Sequence, residues 1–140
     1  QLLQEPINQQ NIRVEMNFPP DGTDVLASRI EIEQVVFNLF KNSIDALTLS
    51  QTKSPLIRVR VEPLTDRFFE IHVQDNGPGV DGAIVDDIFK PYVTNKQTGL
   101  GMGLSISQTI IEGHGGRLTL VEPENSGGCF RFTLSRFPSE

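Results

Sequence analysis

The sequence predicts an α+β fold, a two-layer α/β sandwich with helices on one face of a single sheet. Two pairs of segments alternate apolar and polar residues with period two across short turn-rich connectors, the pattern of antiparallel hairpins. Two other stretches repeat their apolar residues at helical spacing and stand apart from those hairpins. The resulting order is strand, helix, strand, strand, loop, helix, strand, strand, and helices segregated from hairpins in this way pack on one side of a sheet.

The first element is "NIRVEMNF", where Ile12, Val14, Met16 and Phe18 alternate with polar residues as in a half-buried strand, and "PPDGTD" ends it. Ser28 followed by Glu31 makes a capping box, so a helix begins at about Arg29 and runs through "IEIEQVVFNLFKNSIDALTLS". "SQTKSP" is a loop. "LIRVRVE" and "RFFEIHVQD", joined by "PLTD", form the first hairpin, with His72 on its polar face beside Glu70 and Gln74 as a solvated residue. "NGPGVDG" breaks the second strand. "AIVDDIFKPYVTNKQTG" is a poorly periodic connector with one helical turn before Pro91. Leu104 to about Glu112 reads as the second helix, with Gly113 as its C-cap glycine and His114 in the following "GHGG" turn. "GRLTLVE" and "GCFRFTLSR" close the chain as a hairpin around "PENSGG".

At 140 residues the chain is the size of one ordinary domain, residues 1–140, with no repeat or low-complexity segment. No run approaches the roughly 18 apolar residues of a membrane span. Gln1 follows no initiator Met and no signal-peptide pattern, so it reads as a cut point inside a longer protein. A net charge of −6 argues against nucleic acid, whose binders need a clustered positive surface. The single cysteine, Cys129, cannot form an internal disulfide and reads as a core or strand thiol in a reducing compartment. His72 and His114 are too far apart and too poor in companions for a metal site.

Two features ask for chemistry. On the first helix, Ile32, Val35, Val36, Leu39, Ala46 and Leu47 cover one side, extended by Phe37, Phe40 and Ile44. The remaining stripe carries Glu31, Gln34, Asn38, Lys41, Asn42 and Asp45, with Asn38, Asn42 and Asp45 at i, i+4 and i+7 on one face. Asn is a mediocre helix former, and its neutral amide oxygen can ligate a hard cation such as Mg²⁺ while a nearby Lys meets phosphate. A solvated stripe remains the alternative. The second feature is "QDNGPGV", with Asp75 at a strand end before Gly77 and Gly79. Glycines there permit close approach to a ligand whose amino group Asp75 would accept, although a tight turn needs the same residues. Gly77, Gly79 and Gly82 also match G-x-G-x-x-G, but later hairpins replace the β-α-β crossover that a dinucleotide fold requires.

Taken in order, Asn38-x-x-x-Asn42, Asp75-x-Gly77-x-Gly79, Phe89 with Lys96, and Gly99-x-Gly101-x-Gly103 resemble the ATP-binding catalytic domain of sensor histidine kinases. That domain belongs to the GHKL superfamily, with DNA gyrase, the heat-shock chaperone, the mismatch-repair ATPases and the mitochondrial dehydrogenase kinases. "QVVFNLFKNSIDAL" resembles the N box, "DNGPG" the first glycine box, "IFKPYVTNK" the F box and "TGLGMGLSISQTIIEGHGG" the second glycine box. The resemblance spans Ile30 to about Phe132 and implies the Bergerat sandwich, a mixed and mostly antiparallel sheet under about three helices. It implies ATP and Mg²⁺ as cofactors, with Asn42 on the metal and Asn38 supporting the metal or a phosphate. Lys41 would touch phosphate, Asp75 would accept from the adenine amino group, and Gly77 and Gly79 would let the backbone lie under the base. Lys96 would reach the outer phosphates from a lid. Asp45, Val80, Phe89, Thr98, Gly99, Leu100, Gly101, Met102, Gly103 and Leu104 would line the nucleotide. Gly99, Gly101 and Gly103 lead into a helix N-terminus, whose free N–H groups and dipole favour an anion.

Asn38 stands where the ATP-hydrolysing relatives carry a catalytic Glu, and an amide cannot act as a general base, so the domain is expected to hold ATP intact. Neither histidine lies in a phosphoacceptor context. The resemblance therefore implies a domain that donates the γ-phosphate to a histidine of separate dimerisation helices, for relay to a response regulator. The isolated domain is expected to be monomeric and cytoplasmic, without direct membrane contact, although its parent can be an inner-membrane sensor. The alternatives are another GHKL domain, such as an anti-sigma-factor-type serine kinase or a non-transferring ATP binder, and a noncatalytic interaction module.

Overall fold

Period-two alternation in five segments builds one sheet, and helical periodicity in two builds the layer over it. The computed structural model describes residues 11–20, 24–79, 89, 103–121 and 127–136. The elements are β1 (Arg13–Asn17), α1 (Arg29–Ser50), β2 (Leu56–Pro63), β3 (Phe68–Asp75), α2 (Gly103–Gly113), β4 (Leu118–Val121) and β5 (Cys129–Ser135). Their order along the chain is the expected one. The sheet runs β1-β2-β3-β5-β4. Its only parallel pair among the described residues is β1–β2, with Arg13 opposite Leu56, and α1 is the crossover between those strands. The β2–β3, β3–β5 and β4–β5 pairs are antiparallel, so the sheet is mixed as the resemblance implies. Two helices are present among the described residues, against about three expected. The helical turn foreseen before Pro91 falls on residues outside them.

The core lies between this sheet and the helices. Val35, Leu39, Phe40, Ile44 and Leu47 of α1 and Leu104 and Ile111 of α2 pack in one cluster with Ile57 and Val59, with Phe69, Ile71 and Val73, and with Phe130, Phe132 and Leu134. Burying a side chain of this size contributes about 1.5–3 kcal/mol. Since these strand residues alternate, β2, β3 and β5 each present their apolar face to the helices.

Helix α1 starts where its cap predicts. Ser28 is extended at φ −72° and ψ 117°, and its Oγ accepts the Glu31 N–H at 3.4 Å. The reciprocal half of the expected capping box has a different partner: the Ser28 N–H donates to Nε2 of His114 at 3.0 Å. At the other end Gln51 takes the left-handed conformation, φ 52° and ψ 44°, and turns its N–H back on the Leu47 and Thr48 carbonyls.

The close of α2 corrects a sequence expectation. Gly113 is the last helical residue, and the left-handed residue is Gly115, at φ 78°. Gly116 N–H donates to Ile111 O at 3.0 Å and Gly115 N–H to Glu112 O at 3.0 Å, a Schellman motif.

The other sheet face is polar but not uniformly solvated, which corrects the reading of His72. His72 is 9% exposed, with Nε2 2.8 Å from Glu70 Oε1. Arg60 and Arg131 stand opposite it on β2 and β5, and Arg131 Nε lies 3.6 Å from Glu70 Oε2. Long side chains laid along the sheet thus cover it. Glu62, Glu70 and His72 bring three ligating atoms within 4.8 Å of one another. Arg60 already pairs with Glu62 at 2.6 Å and Arg131 with Glu70, so the group is a neutralised ion-pair ladder.

Candidate nucleotide site

Residues singled out by sequence form two groups: Asp75, Gly77 and Gly79 at the end of β3, and Asn38 and Gly103 on the facing sides of the two helices. Asp75 ends the central strand and is buried, 6% exposed. Its Oδ1 accepts the Gly77 N–H at 2.9 Å and the Gly128 N–H at 3.2 Å, and its own N–H donates to Gly128 O at 2.8 Å. Two backbone donors on one oxygen hold the carboxylate in a single orientation. Oδ2 has no hydrogen-bond partner among the described residues, so a strong acceptor is left for a ligand.

Glycines pack directly against Asp75. A Cβ on Gly77 would stand 3.0 Å from Asp75 Oδ1, and one on Gly128 would stand 3.1 Å from Oδ2. Gly127, in the left-handed region at φ 98°, lies so close that a Cβ would collide with the Asp75 carbonyl oxygen. Gly79, also left-handed at φ 85°, packs against Gly127. The first glycine box and the β4–β5 connection therefore close on Asp75 together. Sequence reasoning missed Gly127 and Gly128, whose only signal was the paired glycine of "NSGG".

Asn38 joins the two helices. Its Nδ2 donates to Gly103 O at 3.2 Å and to Ser107 Oγ at 3.1 Å, and its Oδ1 accepts from Gln34 Nε2 at 3.0 Å. A carbonyl can only accept, so the Gly103 contact fixes which end of the amide faces α2. The oxygen accepts from Gln34 and keeps a second lone pair. Ser107 is fully buried, and its hydroxyl was not identified as part of the site from sequence. Lys41, Asn42 and Asp45 are half-buried on the same helix, and Asn42 and Asp45 each have a polar or electrostatic partner.

Gly103, against Asn38, and Leu104, in the core, open the first turn of α2. Its leading N–H groups have no intrahelical acceptors and bear the positive end of the dipole. Phe89 is half-buried with its ring edge-on to Phe130, centroids 6.2 Å apart at 80°, so it is anchored on the core. Val80, Lys96, Thr98, Gly99, Leu100, Gly101 and Met102 lie outside the described residues.

Comparison with known proteins agrees with this fold. Residues 27–138 match the family described as histidine kinase-, DNA gyrase B- and HSP90-like ATPase. The chain belongs to that family and is of the sensor histidine kinase type. Two relatives of known name are the sensor protein FixL of Bradyrhizobium diazoefficiens and the sensor protein TdiS of Thauera aromatica. The first is 39% identical over 126 residues, 90% of this chain and 25% of FixL. The second is 40% identical over 129 residues, 91% of this chain and 24% of TdiS. The chain thus spans about a quarter of these relatives. Among solved structures, the nucleotide-free catalytic domain of the histidine kinase ThkA superposes with a TM-score of 0.82 at 32% identity, covering 96% of this chain and 86% of that one.

Proposed function

We propose that residues 1–140 are one domain that binds Mg-ATP and, within a longer sensor kinase, presents the γ-phosphate to a histidine on separate dimerisation helices, for relay to a response regulator. The observation that carries the reading is Asp75: a buried carboxylate with one oxygen locked by two backbone donors and the other without a hydrogen-bond partner among the described residues, where it would accept from an amino group. Adenine offers such a group, whereas guanine presents a carbonyl oxygen at the equivalent position and would meet acceptor with acceptor. Gly77 and Gly79 then keep the base's approach clear.

The fit to a magnesium nucleotide rests on donor chemistry. Asn42 on α1 is the residue for the metal, and Asn38, whose oxygen retains a lone pair, supports the metal or a phosphate. Bound Mg²⁺ would neutralise charge on the phosphate oxygens. Lys41, Lys96 and the leading N–H groups of α2 would meet the phosphates, with Asp45, Val80, Thr98, Gly99, Leu100, Gly101, Met102, Gly103 and Leu104 around them. Asn38 cannot take a proton from water, so the chain's own residues favour storing ATP over hydrolysing it. Support for the partner comes from the ThkA complex with the response regulator TrrA, in which the kinase superposes with a TM-score of 0.77 at 30% identity.

Calorimetric titration with Mg-ATP tests the binding step. Wild type is expected to bind ATP in preference to GTP. Asp75→Asn places an amide donor before the adenine amino group and should weaken ATP by about 10- to 100-fold, the value of a charge-assisted hydrogen bond. Undiminished binding by this variant sinks the reading. The transfer step is tested by mixing the chain with an acceptor-helix domain and labelled ATP. Acid-labile phosphate on the acceptor supports a histidine kinase, and ATP binding without it leaves a nucleotide binder.

A further inference from the structure

His114 makes two hydrogen bonds that nothing in the phosphate chemistry requires. Its Nδ1 lies 2.8 Å from the Ile110 carbonyl in its own helix, and its Nε2 lies 3.0 Å from the Ser28 N–H at the start of α1. These partners fix the tautomer. A carbonyl can only accept, so Nδ1 carries the hydrogen, and a backbone N–H can only donate, so Nε2 carries the lone pair. The imidazole is therefore satisfied on both edges, and it occupies the N–H to which a capping-box Glu31 would otherwise return.

We propose that His114 is a positioning residue of the nucleotide site, fixing the axial register of α1 against α2. The inference rests on the ATP-site reading given above. Among the described residues, hydrogen bonds between the two helices include two sets at well separated points. One is Ser28 with His114, where α1 begins and α2 ends. The other is Asn38 with Gly103 and Ser107, where α2 begins. From Ser28 to Asn38 is 38 − 28 = 10 residues, about 15 Å along a helix at 1.5 Å per residue. Between those points the core residues of the two helices are apolar, Val35 on one and Ile111 on the other, and apolar packing is non-directional. A single tie would leave the helices able to pivot or slide about it. Two ties, one at each end, remove both freedoms. Asn38 and Asn42 ride on α1 and the anion-facing N–H groups on α2, so this register sets the distance between the metal side and the phosphate side of one site. His114 suits the task because the Schellman turn through Gly115 and Gly116 and the bond to Ile110 hold the ring to the end of α2.

The test separates this role from local capping. His114→Asn keeps a donor near the position of Nδ1, for Ile110, but is too short to reach Ser28. His114→Gln places an acceptor near the position of Nε2 and restores the reach while losing the local bond. Measured with Mg-ATP on the 140-residue chain, Asn is expected to bind about 3- to 10-fold more weakly than wild type, the value of one hydrogen bond. Gln is expected to recover most of that loss. Binding by Asn equal to wild type, or recovery by Asn and not by Gln, overturns the register role and leaves a simple cap. Should both variants unfold, ¹⁵N NMR of the wild type decides: a hydrogen on Nδ1 and a coupling across the Ser28 N–H to Nε2 are required, and their absence refutes the latch. Failure of the wild type to bind ATP would instead refute the nucleotide reading, with the NMR result still reporting on the tie.

Discussion

Asp75 and Cys129 lie near one another at the ends of paired strands, and their contrast shows what burial does to an ionisable group. Asp75 is sheltered, and two backbone N–H groups on one oxygen fix the orientation of its carboxylate. Cys129 is buried without a disulfide, and desolvation pushes its thiol up, against a partial offset from Arg60 and Arg131. The fold therefore favours the neutral thiol. That contribution is fully present below the ordinary value of 9.0 and is lost as pH rises through the higher folded value. Native protein should react with iodoacetamide far more slowly than urea-unfolded protein at pH 8, and denaturation midpoints should fall above pH 9 in wild type more than in Cys129→Ser. Equal slopes for the two proteins would remove burial of this thiol as the cause. Much of what lay hidden at this scale is distance along the chain. Ser107 stands 69 residues from the Asn38 it holds, and Gly128 stands 53 from Asp75. No local pattern could have paired them.

Elements were far more legible than their ends. The apolar spacing of α1 and the serine before it set a helix that begins at Arg29 and runs to Ser50, and period two set all five strands. What local reading missed depends on three dimensions. His72 looks solvated in one strand, but its neighbours Arg60 and Arg131 come from two others. Gly113 looked like the cap of α2, whereas the left-handed turn falls on Gly115, and a run with glycine at both places offers no local reason to choose. Gln51 carries a consequence for stability. A non-glycine residue in the left-handed region costs about 1–2 kcal/mol and the added entropy of the unfolded glycine chain offsets about 0.4–1 kcal/mol of it, so Gln51→Gly should raise the unfolding free energy by roughly 0.5–1 kcal/mol in urea. A loss of stability would mean that the Gln51 side chain contributes more than its backbone costs.

For the molecule as a whole, the sheet separates two kinds of chemistry. Its inner face holds the core and, at the end of β3, the candidate nucleotide contact, while its outer face carries paired charges from Glu15 and Arg58 to Glu70 and Arg131. Among the described residues no helix is long and apolar enough to cross a membrane. The long reach of the pairings shaped what could be read in advance. The β2–β3 and β4–β5 hairpins are local, but β3 meets β5 only across the second helix, with Phe68 opposite Ser135. The resemblance to kinase domains implied a mixed sheet without its strand order, and alternation alone could not say which strand is central.

That central strand carries Asp75 at its end, and β5 meets it through Gly128. A ligand held on the other carboxylate oxygen, Asp75 Oδ2, would bind only the closed corner, so opening it would first require the ligand to leave. Occupancy should thus be readable as time: with saturating Mg-ATP, hydrogen exchange at the Asp75, Gly77 and Gly128 amides is expected to slow by a factor that grows with nucleotide concentration, while amides of the edge strand β1 keep their own pace.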